Sequence, residues 1–103
     1  MKIKNIEMVN FLQTNIIQKA LPTRLYYALR CNSDALAGFV PAYNEAFEKA
    51  KKEGDKAVND LLNQEIEVNI QTVPQSTLDL LDTSDKYDTL TWQEFNAIAF
   101  MIE

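Results

Sequence analysis

The chain of 103 residues contains no histidine, and Cys31 is its only cysteine. These absences exclude the usual His/Cys zinc sites, a catalytic triad built on histidine, and a disulfide within the chain. Because no histidine is present to activate its thiol, we expect Cys31 to be a small packing residue in a helix. We also expect no cofactor and no metal ion, since the sequence offers no recognisable set of ligands for either.

Glycine is scarce as well. The only two glycines, Gly38 and Gly54, lie far apart, which excludes the glycine-rich loop that holds phosphate groups. The acidic segment 82–89 invites comparison with a calcium loop, but Tyr87 stands where an EF-hand needs glycine and Gln93 where it needs glutamate. No pair of carboxylates and no activated nucleophile stands out. The sequence therefore predicts a protein that is not an enzyme.

The formal net charge is −5, and the charges are unevenly distributed. Residues 1–30 carry five basic side chains and one acidic one, whereas residues 61–103 carry eight acidic side chains and one lysine. Ends of opposite sign can attract each other within one chain or between two copies. Acidity argues against nucleic-acid binding, because phosphate contacts supply most of that affinity. No apolar run approaches the ~20 residues that cross a bilayer, so we expect no membrane partner either.

The spacing of apolar residues predicts a single, mostly α domain over residues 1–103. A first helix is expected over residues 5–20, ended by Leu21-Pro22, and a long second helix from about Pro22 to Glu53. Such a short connection predicts an antiparallel helical hairpin. Pro41 lies inside the long helix and is expected to kink it, with a break into two helices as the alternative.

The long helix carries a heptad seam that steps by four and three residues. The seam includes four candidate interaction residues, which are Asn32, Leu36, Phe39 and Tyr43. A buried asparagine can fix the register of a helical assembly. The other interpretation is that the helix rotates slightly, so that Cys31 faces the core and Asn32 lies at a wet margin. We prefer the second interpretation.

After Gly54, which is expected to cap the long helix, a short helix is expected over residues 56–64 and then a change of period. Residues 65–71 alternate strictly between polar and apolar, which predicts one short strand over about residues 65–72, with Ile66, Val68 and Ile70 on one face. A strand needs a partner for its backbone groups. That partner is either the N-terminal Lys2-Ile3-Lys4, with its lysines opposite the glutamates of the strand, or the same segment of another copy.

The C-terminus is expected to form a last helix over Trp92–Ile102, following a polar acidic loop over residues 82–89. Thr91 and Glu94 form a capping box, which marks the start of this helix. The helix is apolar nearly all round and includes Trp92, Phe95 and Phe100. We therefore expect it to be buried or to meet a partner.

Several segments together resemble a known family. These are Leu21-Pro22, the run Leu61–Ile70 (LLNQEIEVNI) and the run Leu90–Glu103 (LTWQEFNAIAFMIE). The chain resembles small phage and prophage proteins of a family without assigned function, although Trp92 stands where that family has proline. The resemblance implies a phage or prophage origin, a location in the bacterial host cytoplasm or the virion, and no catalytic residues.

Two functions fit these observations. The first is a non-enzymatic phage interaction or assembly protein that acts through helix packing as a homo-oligomer. The alternative is an acidic phage inhibitor that binds a basic host protein, which the acidic C-terminal third favours. The candidate interaction residues are Asn32, Leu36, Phe39, Tyr43, Ile66, Val68, Ile70, Trp92, Phe95 and Phe100.

Overall fold

The computed structural model describes residues 1–83 and 85–103. The chain is mostly helical with a small β component, which confirms the predicted fold class. Two strands, β1 (Lys2–Lys4) and β2 (Glu65–Glu67), accompany six α-helices. The helices are α1 (Asn5–Leu12), α2 (Thr23–Ala37), α3 (Val40–Glu53), α4 (Asp55–Asn63), α5 (Gln75–Thr83) and α6 (Trp92–Ile98). The predicted acidic loop over residues 82–89 begins instead inside α5, and its Ser84 lies outside the described residues.

The strand finds its partner within the same chain. β1 and β2 are antiparallel, and the register places Lys2 opposite Glu67, Ile3 opposite Ile66 and Lys4 opposite Glu65. The lysines therefore face the glutamates, as the first of the two predicted pairings has it. The strand is shorter than the predicted 65–72. Beyond Glu67 the backbone leaves the ladder after two further bonds. The Val68 amide donates to the Met1 carbonyl at 3.0 Å, and the Met1 ammonium donates to the Val68 carbonyl at 3.0 Å.

Asn32 holds the extended segment that follows β2. Its side chain is completely buried, at 0% exposure, which corrects the predicted position at a wet margin. The Asn32 Nδ2 donates to the Gln71 carbonyl at 3.0 Å, and the Asn32 Oδ1 accepts from the Gln71 amide at 2.7 Å. A carboxamide offers one donor group and one acceptor side by side, so it replaces the missing neighbouring strand at this residue.

The C-terminal segment closes against the same extended stretch. Val73 and Ile102 form an isolated parallel bridge, in which the Val73 amide donates to the Met101 carbonyl at 2.9 Å. The last helix is accordingly shorter than predicted. α6 ends at Ile98 and a 3₁₀ turn covers Ala99–Met101, so that Ile102 is free to take extended geometry. Ile98 and Met101 are buried in the chain's own core.

The first helix also stops earlier than its apolar pattern predicts. α1 ends at Leu12 rather than near Ala20, and a 3₁₀ turn over Ile16–Gln18 follows. The Thr14 hydroxyl donates to the Phe11 carbonyl at 2.8 Å, and the Thr14 amide bonds to the same carbonyl at 3.1 Å. Such local side-chain bonds compete with helix continuation, which explains the early end. Residues 13–22 therefore form a longer connection between α1 and α2 than the hairpin prediction assumed.

The long helix is interrupted as the alternative prediction proposed. α2 ends at Ala37 and α3 begins at Val40, with Pro41 in its first turn. A proline has no amide hydrogen to donate to the carbonyl four residues earlier, here that of Ala37. Gly38 and Phe39 keep right-handed helical angles, so α3 continues onward rather than folding back. The molecule is accordingly elongated, with extents of 49 × 23 × 21 Å.

One hydrophobic core joins the remaining elements. Met8 and Phe11 of α1 and the leucines of α2 meet the buried side of α5 and of the C-terminal segment. Phe11 and Phe100 contact edge to face, with ring centroids 5.4 Å apart. The hairpin of α3 and α4, which we call the arm (residues 40–63), lies largely outside this core. The Asn5 Nδ2 ties its base to α1 by donating to the Leu61 carbonyl at 2.9 Å.

Substitution by alanine is expected to change the free energy of unfolding in opposite directions at the two glycines. Gly54 joins α3 to α4 at φ 115°, ψ 177°, a conformation that is open almost only to glycine. Gly54→Ala is expected to lower the free energy of unfolding by about 1–2 kcal/mol. Gly38 is helical and has room for a Cβ, so Gly38→Ala should raise it by about 0.4–1 kcal/mol. Urea unfolding followed by circular dichroism measures both, and a shift of the same sign at both positions would contradict this account.

Asn32→Ala tests the bond pair to Gln71. Removing the carboxamide leaves two partly buried backbone groups of Gln71 without their partner, so we expect a loss of about 1–3 kcal/mol in unfolding free energy. Asn44→Ala, at an exposed site on α3, is the matched control and should change stability by less than about 0.5 kcal/mol. Hydrogen exchange at the Gln71 amide should accelerate in Asn32→Ala alone. Equal effects of the two variants would show that the bond pair does not matter.

Candidate interaction surfaces

The ten residues predicted for interaction do not form one surface. Three of them, Asn32, Leu36 and Val68, are buried in the core of the chain itself. Six others pack half-buried against that core, namely Phe39, Tyr43, Ile66, Ile70, Phe95 and Phe100. Trp92 alone among the ten is exposed, at 77%. Two surfaces remain with apolar side chains that the fold leaves uncovered, the arm and the neighbourhood of Trp92.

The arm consists of two helices whose apolar stripes face each other. On α3 the stripe contains Tyr43, Ala46, Phe47 and Ala50, and on α4 it contains Ala57, Val58, Leu61 and Leu62. Among these eight described residues only Ala50 is fully buried. Two helices cover each other's stripe from one side only, and a groove of about 370 Å³ runs along the hairpin. The sequence signal for this surface is the helical spacing in residues 57–62, which predicts a short helix but does not show that its apolar side is only partly covered.

The arm also carries an aromatic pair and balanced charge. Tyr43 and Phe47 stack with ring centroids 5.9 Å apart, and the Lys51 ammonium lies 5.4 Å from the Phe47 ring. Residues 40–63 contain five acidic and four basic side chains, so the arm is nearly neutral in an otherwise acidic chain. A surface with both signs of charge and a half-buried apolar stripe does not repel a copy of itself.

Trp92 lies at the start of α6, where the capping box fixes the backbone. The Thr91 hydroxyl accepts from the Glu94 amide at 3.1 Å, and the Glu94 carboxylate accepts from the Thr91 amide at 2.9 Å, as predicted. The Trp92 ring stacks on Phe95 at 6.4 Å with an interplanar angle of 11°. Beside this pair is a groove of about 210 Å³ between α5 and α6. We call it the Trp92 groove, and its lining includes Leu78, Leu81, Asp82, Leu90 and Phe95.

A second set of bonds anchors the loop before α6. The Lys19 ammonium donates to the Glu94 carboxylate at 2.7 Å and to the Thr89 carbonyl at 2.9 Å. Asp88 and Ala20 bond twice, through the Asp88 amide and the Asp88 carboxylate, at 2.9 and 2.8 Å. The bond from Lys19, together with that from the Thr91 backbone, holds the pKa of Glu94 below its ordinary value. These contacts present Trp92 on a rigid support.

A cleft with a volume of about 750 Å³ lies between α1 and α6. Its lining is polar, with five carboxamide side chains from Asn10, Gln13, Asn15, Gln93 and Asn96. All five are exposed to solvent. The lining includes two glutamates and no basic side chain, so the cleft does not suit a phosphate or another anionic ligand. It offers hydrogen bonds to neutral groups and no arrangement of a nucleophile with a base.

Exposed aromatic and basic side chains also lie near the start of α2. Tyr26 and Tyr27 are exposed, and Arg30 lies 3.6 Å from Asp34 one turn further on. A hydrogen bond with Cys31 raises the pKa of Tyr27. Cys31 itself is half-buried, in keeping with a packing role.

Within residues 1–83 and 85–103, no three side chains of the metal-binding types cluster together. None of the helices in these residues combines the length and apolar character that crossing a membrane requires.

Comparison with known proteins leaves the function to be argued from the structure. No family model matches the chain, and no match was found among curated proteins or among solved structures. The resemblance to a phage protein family therefore stays a prediction.

Glu94→Gln tests the electrostatic support of the Trp92 surface. The pKa of Glu94 is lower in the folded protein than in the unfolded chain, where it is about 4.3. The ionised carboxylate therefore stabilises the fold fully above that unfolded-state pKa, and this stabilisation is lost as the pH falls through the lower folded value. The variant should melt about 4–8 °C lower at pH 7, and this difference should shrink as the pH falls towards about 3. Thermal melts followed by circular dichroism measure it. Glu45→Gln, on the exposed side of α3, should have the same melting temperature as the unmodified protein at each pH. A difference in melting temperature for Glu94→Gln that does not change with pH would contradict a role for the ion pair.

Proposed function

We propose that this protein is a non-enzymatic assembly protein of phage or prophage type that forms homo-oligomers through its arm. One observation carries the proposal. None of the nine residues of α4, all of which the structure describes, is fully buried, although Val58, Leu61 and Leu62 form an apolar stripe. A helix of this kind gains its stability from covering such a stripe. The arm is therefore a surface on which a partner can remove further apolar area from water.

A second copy of the chain fits this surface well. Two arms placed side by side make a four-helix arrangement in which every apolar stripe is covered from both sides. A two-fold axis would bring the same stripe of each copy together. Since the arm is nearly neutral with both signs of charge, lysines of one copy can lie beside acids of the other.

Two of the three sequence features that favour self-association do not carry the proposal. The sequence argument used the heptad seam of the long helix, an unpaired strand and an all-apolar last helix. In the structure β1 pairs with β2, and the inner side of the last helix faces the core through Ile98 and Met101. Both needs are met within one chain. Only the arm keeps apolar side chains in an arrangement that a matching helix pair would complete.

The biological setting is part of the same proposal. The resemblance of residues 61–70 and 90–103 to small phage and prophage proteins supports action in the bacterial host cytoplasm or in the virion. The position of the gene tests it. Neighbouring capsid or tail genes would support assembly, whereas early regulatory genes would argue for a different role.

The arm is tested by a pair of substitutions at adjacent positions. Val58→Lys puts a charge into the apolar stripe, whereas Asn59→Lys adds the same charge on the exposed face of α4. Light scattering coupled to size exclusion should show an oligomer for the unmodified protein and for Asn59→Lys at about 10–300 µM. Val58→Lys should be monomeric, because an unpaired ammonium between apolar stripes opposes association.

A milder change guards against simple unfolding. Val58→Thr keeps the shape of the side chain and weakens the apolar contact, so it should shift the dissociation constant upward by about five- to tenfold while retaining the helical spectrum. A monomer at all concentrations for the unmodified protein would overturn the proposal. So would an oligomer that both lysine variants leave intact.

A further inference from the structure

We propose that the Trp92 groove is a docking site for a basic protein segment that inserts one apolar side chain between α5 and α6. This site is separate from the arm and does not depend on self-association. It is the kind of surface that a basic host partner requires. Three observations carry it, namely the exposure of Trp92, the shape of the groove beside it and the charge around it.

Trp92 is placed where it can act as an anchor for a partner. It has the largest exposed fraction, 77%, among the large apolar side chains that the structure describes, yet its backbone is fixed by the capping box. The ring stacks on Phe95, so little side-chain freedom remains to be lost on binding. Tryptophan is enriched among residues that dominate binding energy at protein interfaces. The fold thus holds a rigid aromatic ring in water beside an apolar depression.

The groove is matched to a single large apolar side chain. Leu78 and Leu81 of α5 contribute well-buried side chains, and Leu90 and Phe95 close the opposite side. Its volume of about 210 Å³ lies below the ~300–1,000 Å³ that pockets for drug-sized ligands occupy. A leucine or phenylalanine of a partner fits this space, and its neighbours would then lie against Trp92 and the acidic side chains of α5.

The charge around the groove selects a basic partner. Asp82 lines the groove, and Asp79 lies one helical turn before it. Neither carboxylate forms a hydrogen bond or an ion pair with any residue that the structure describes. Residues 75–95 carry five acidic side chains and one lysine. Lysine or arginine on both sides of the inserted residue would meet these free carboxylates.

The same charge argues against the other occupants. A second copy that docked through the same surface would bring its own aspartates to the groove and would be repelled, whereas the nearly neutral arm does not repel a copy of itself. Nucleic acids and anionic lipid surfaces carry negative charge and are repelled in the same way. A basic polypeptide is the partner that both the apolar depression and the aspartates favour.

The single tryptophan of the chain makes binding directly measurable. The probe is the peptide acetyl-Lys-Arg-Leu-Phe-Arg-Lys-amide, titrated against the full chain while Trp92 fluorescence is recorded. We expect a saturable blue shift, because docking removes the indole from water. Raising the salt from 50 to 500 mM should weaken binding by about fivefold or more. Two control peptides carry serine in place of Leu-Phe, or glutamine in place of the basic residues, and both should bind at least about fivefold more weakly.

Two matched variants locate the site on the chain. Asp82→Asn retains Trp92 as the fluorescent reporter and should weaken peptide binding by about three- to fivefold. Asp60→Asn removes one exposed acid from the arm and should leave peptide binding unchanged. The proposal is overturned if the serine peptide binds as well as the parent, or if no saturable shift appears by about 1 mM peptide. It is equally overturned if Trp92 fluorescence shifts with protein concentration alone, since a second copy would then occupy the groove.

Discussion

The bond pair between Asn32 and Gln71 is the interaction on which the rest of the fold depends. It joins α2 to an extended segment that has left the β1–β2 ladder and has no neighbouring strand. On the far side of that segment, Val73 pairs with the C-terminal stretch, and Met101 lies 3.4 Å from the Asn32 amide through its sulfur. One buried carboxamide therefore aligns the centre, the strand region and the C-terminus of the chain. Backbone amides and carbonyls of the extended segment thus have hydrogen-bond partners, although the adjacent sheet contains only six residues.

The molecule divides its apolar side chains between two tasks. Those of α1, α2, α5 and the C-terminal segment form a closed core, whereas those of α3 and α4 form an arm with partly open stripes. The interruption at residues 38–39 separates the tasks, because it lets one continuous heptad seam serve the core in its first half and the arm in its second. Gly54 then reverses the chain at the arm's end. Charge follows the same division, since the arm is nearly neutral and the acids gather near α5 and α6.

Sequence reasoning succeeded where short-range pattern decides structure. The alternation at residues 65–67 and the Thr91 capping box are local signals, and each appears as predicted. The lysine–glutamate register is one of the two pairings that the sequence left open. Sequence reasoning failed where a distant partner decides. Asn32 looked marginal because nothing nearby in sequence reveals that Gln71 needs a donor and an acceptor. The helix predicted to reach Ile102 stops at Ile98, because the segment that follows pairs with Val73 through a parallel bridge at Ile102.

The interaction surfaces were predictable only in part. Trp92 and Phe95 were identified from the apolar character of the last helix, and Phe39 and Tyr43 from the seam. The arm stripe was missed because residues 57–62 look like an ordinary short amphipathic helix until its lack of cover is seen. Leu36 and Val68 were predicted to contact a partner. A periodic apolar pattern does not show whether the surface it packs against lies in the same chain or in another one.

The pairing of distant segments has a consequence for how the protein is made. β1 cannot pair until residues 65–67 have been made, and Lys19 cannot form its ion pair until Glu94 has been made. The side chain of Asn32 gains its hydrogen-bond partners only when Gln71 and Met101 have emerged from the ribosome. The arm is different, because α3 and α4 adjoin in sequence and touch through a one-residue turn. During synthesis the arm is therefore the part that can acquire its contacts early, whereas the core closes only after residues 65–103 have been made. This helical chain should fold more slowly than its helix content suggests, as long-range closures are slow to form.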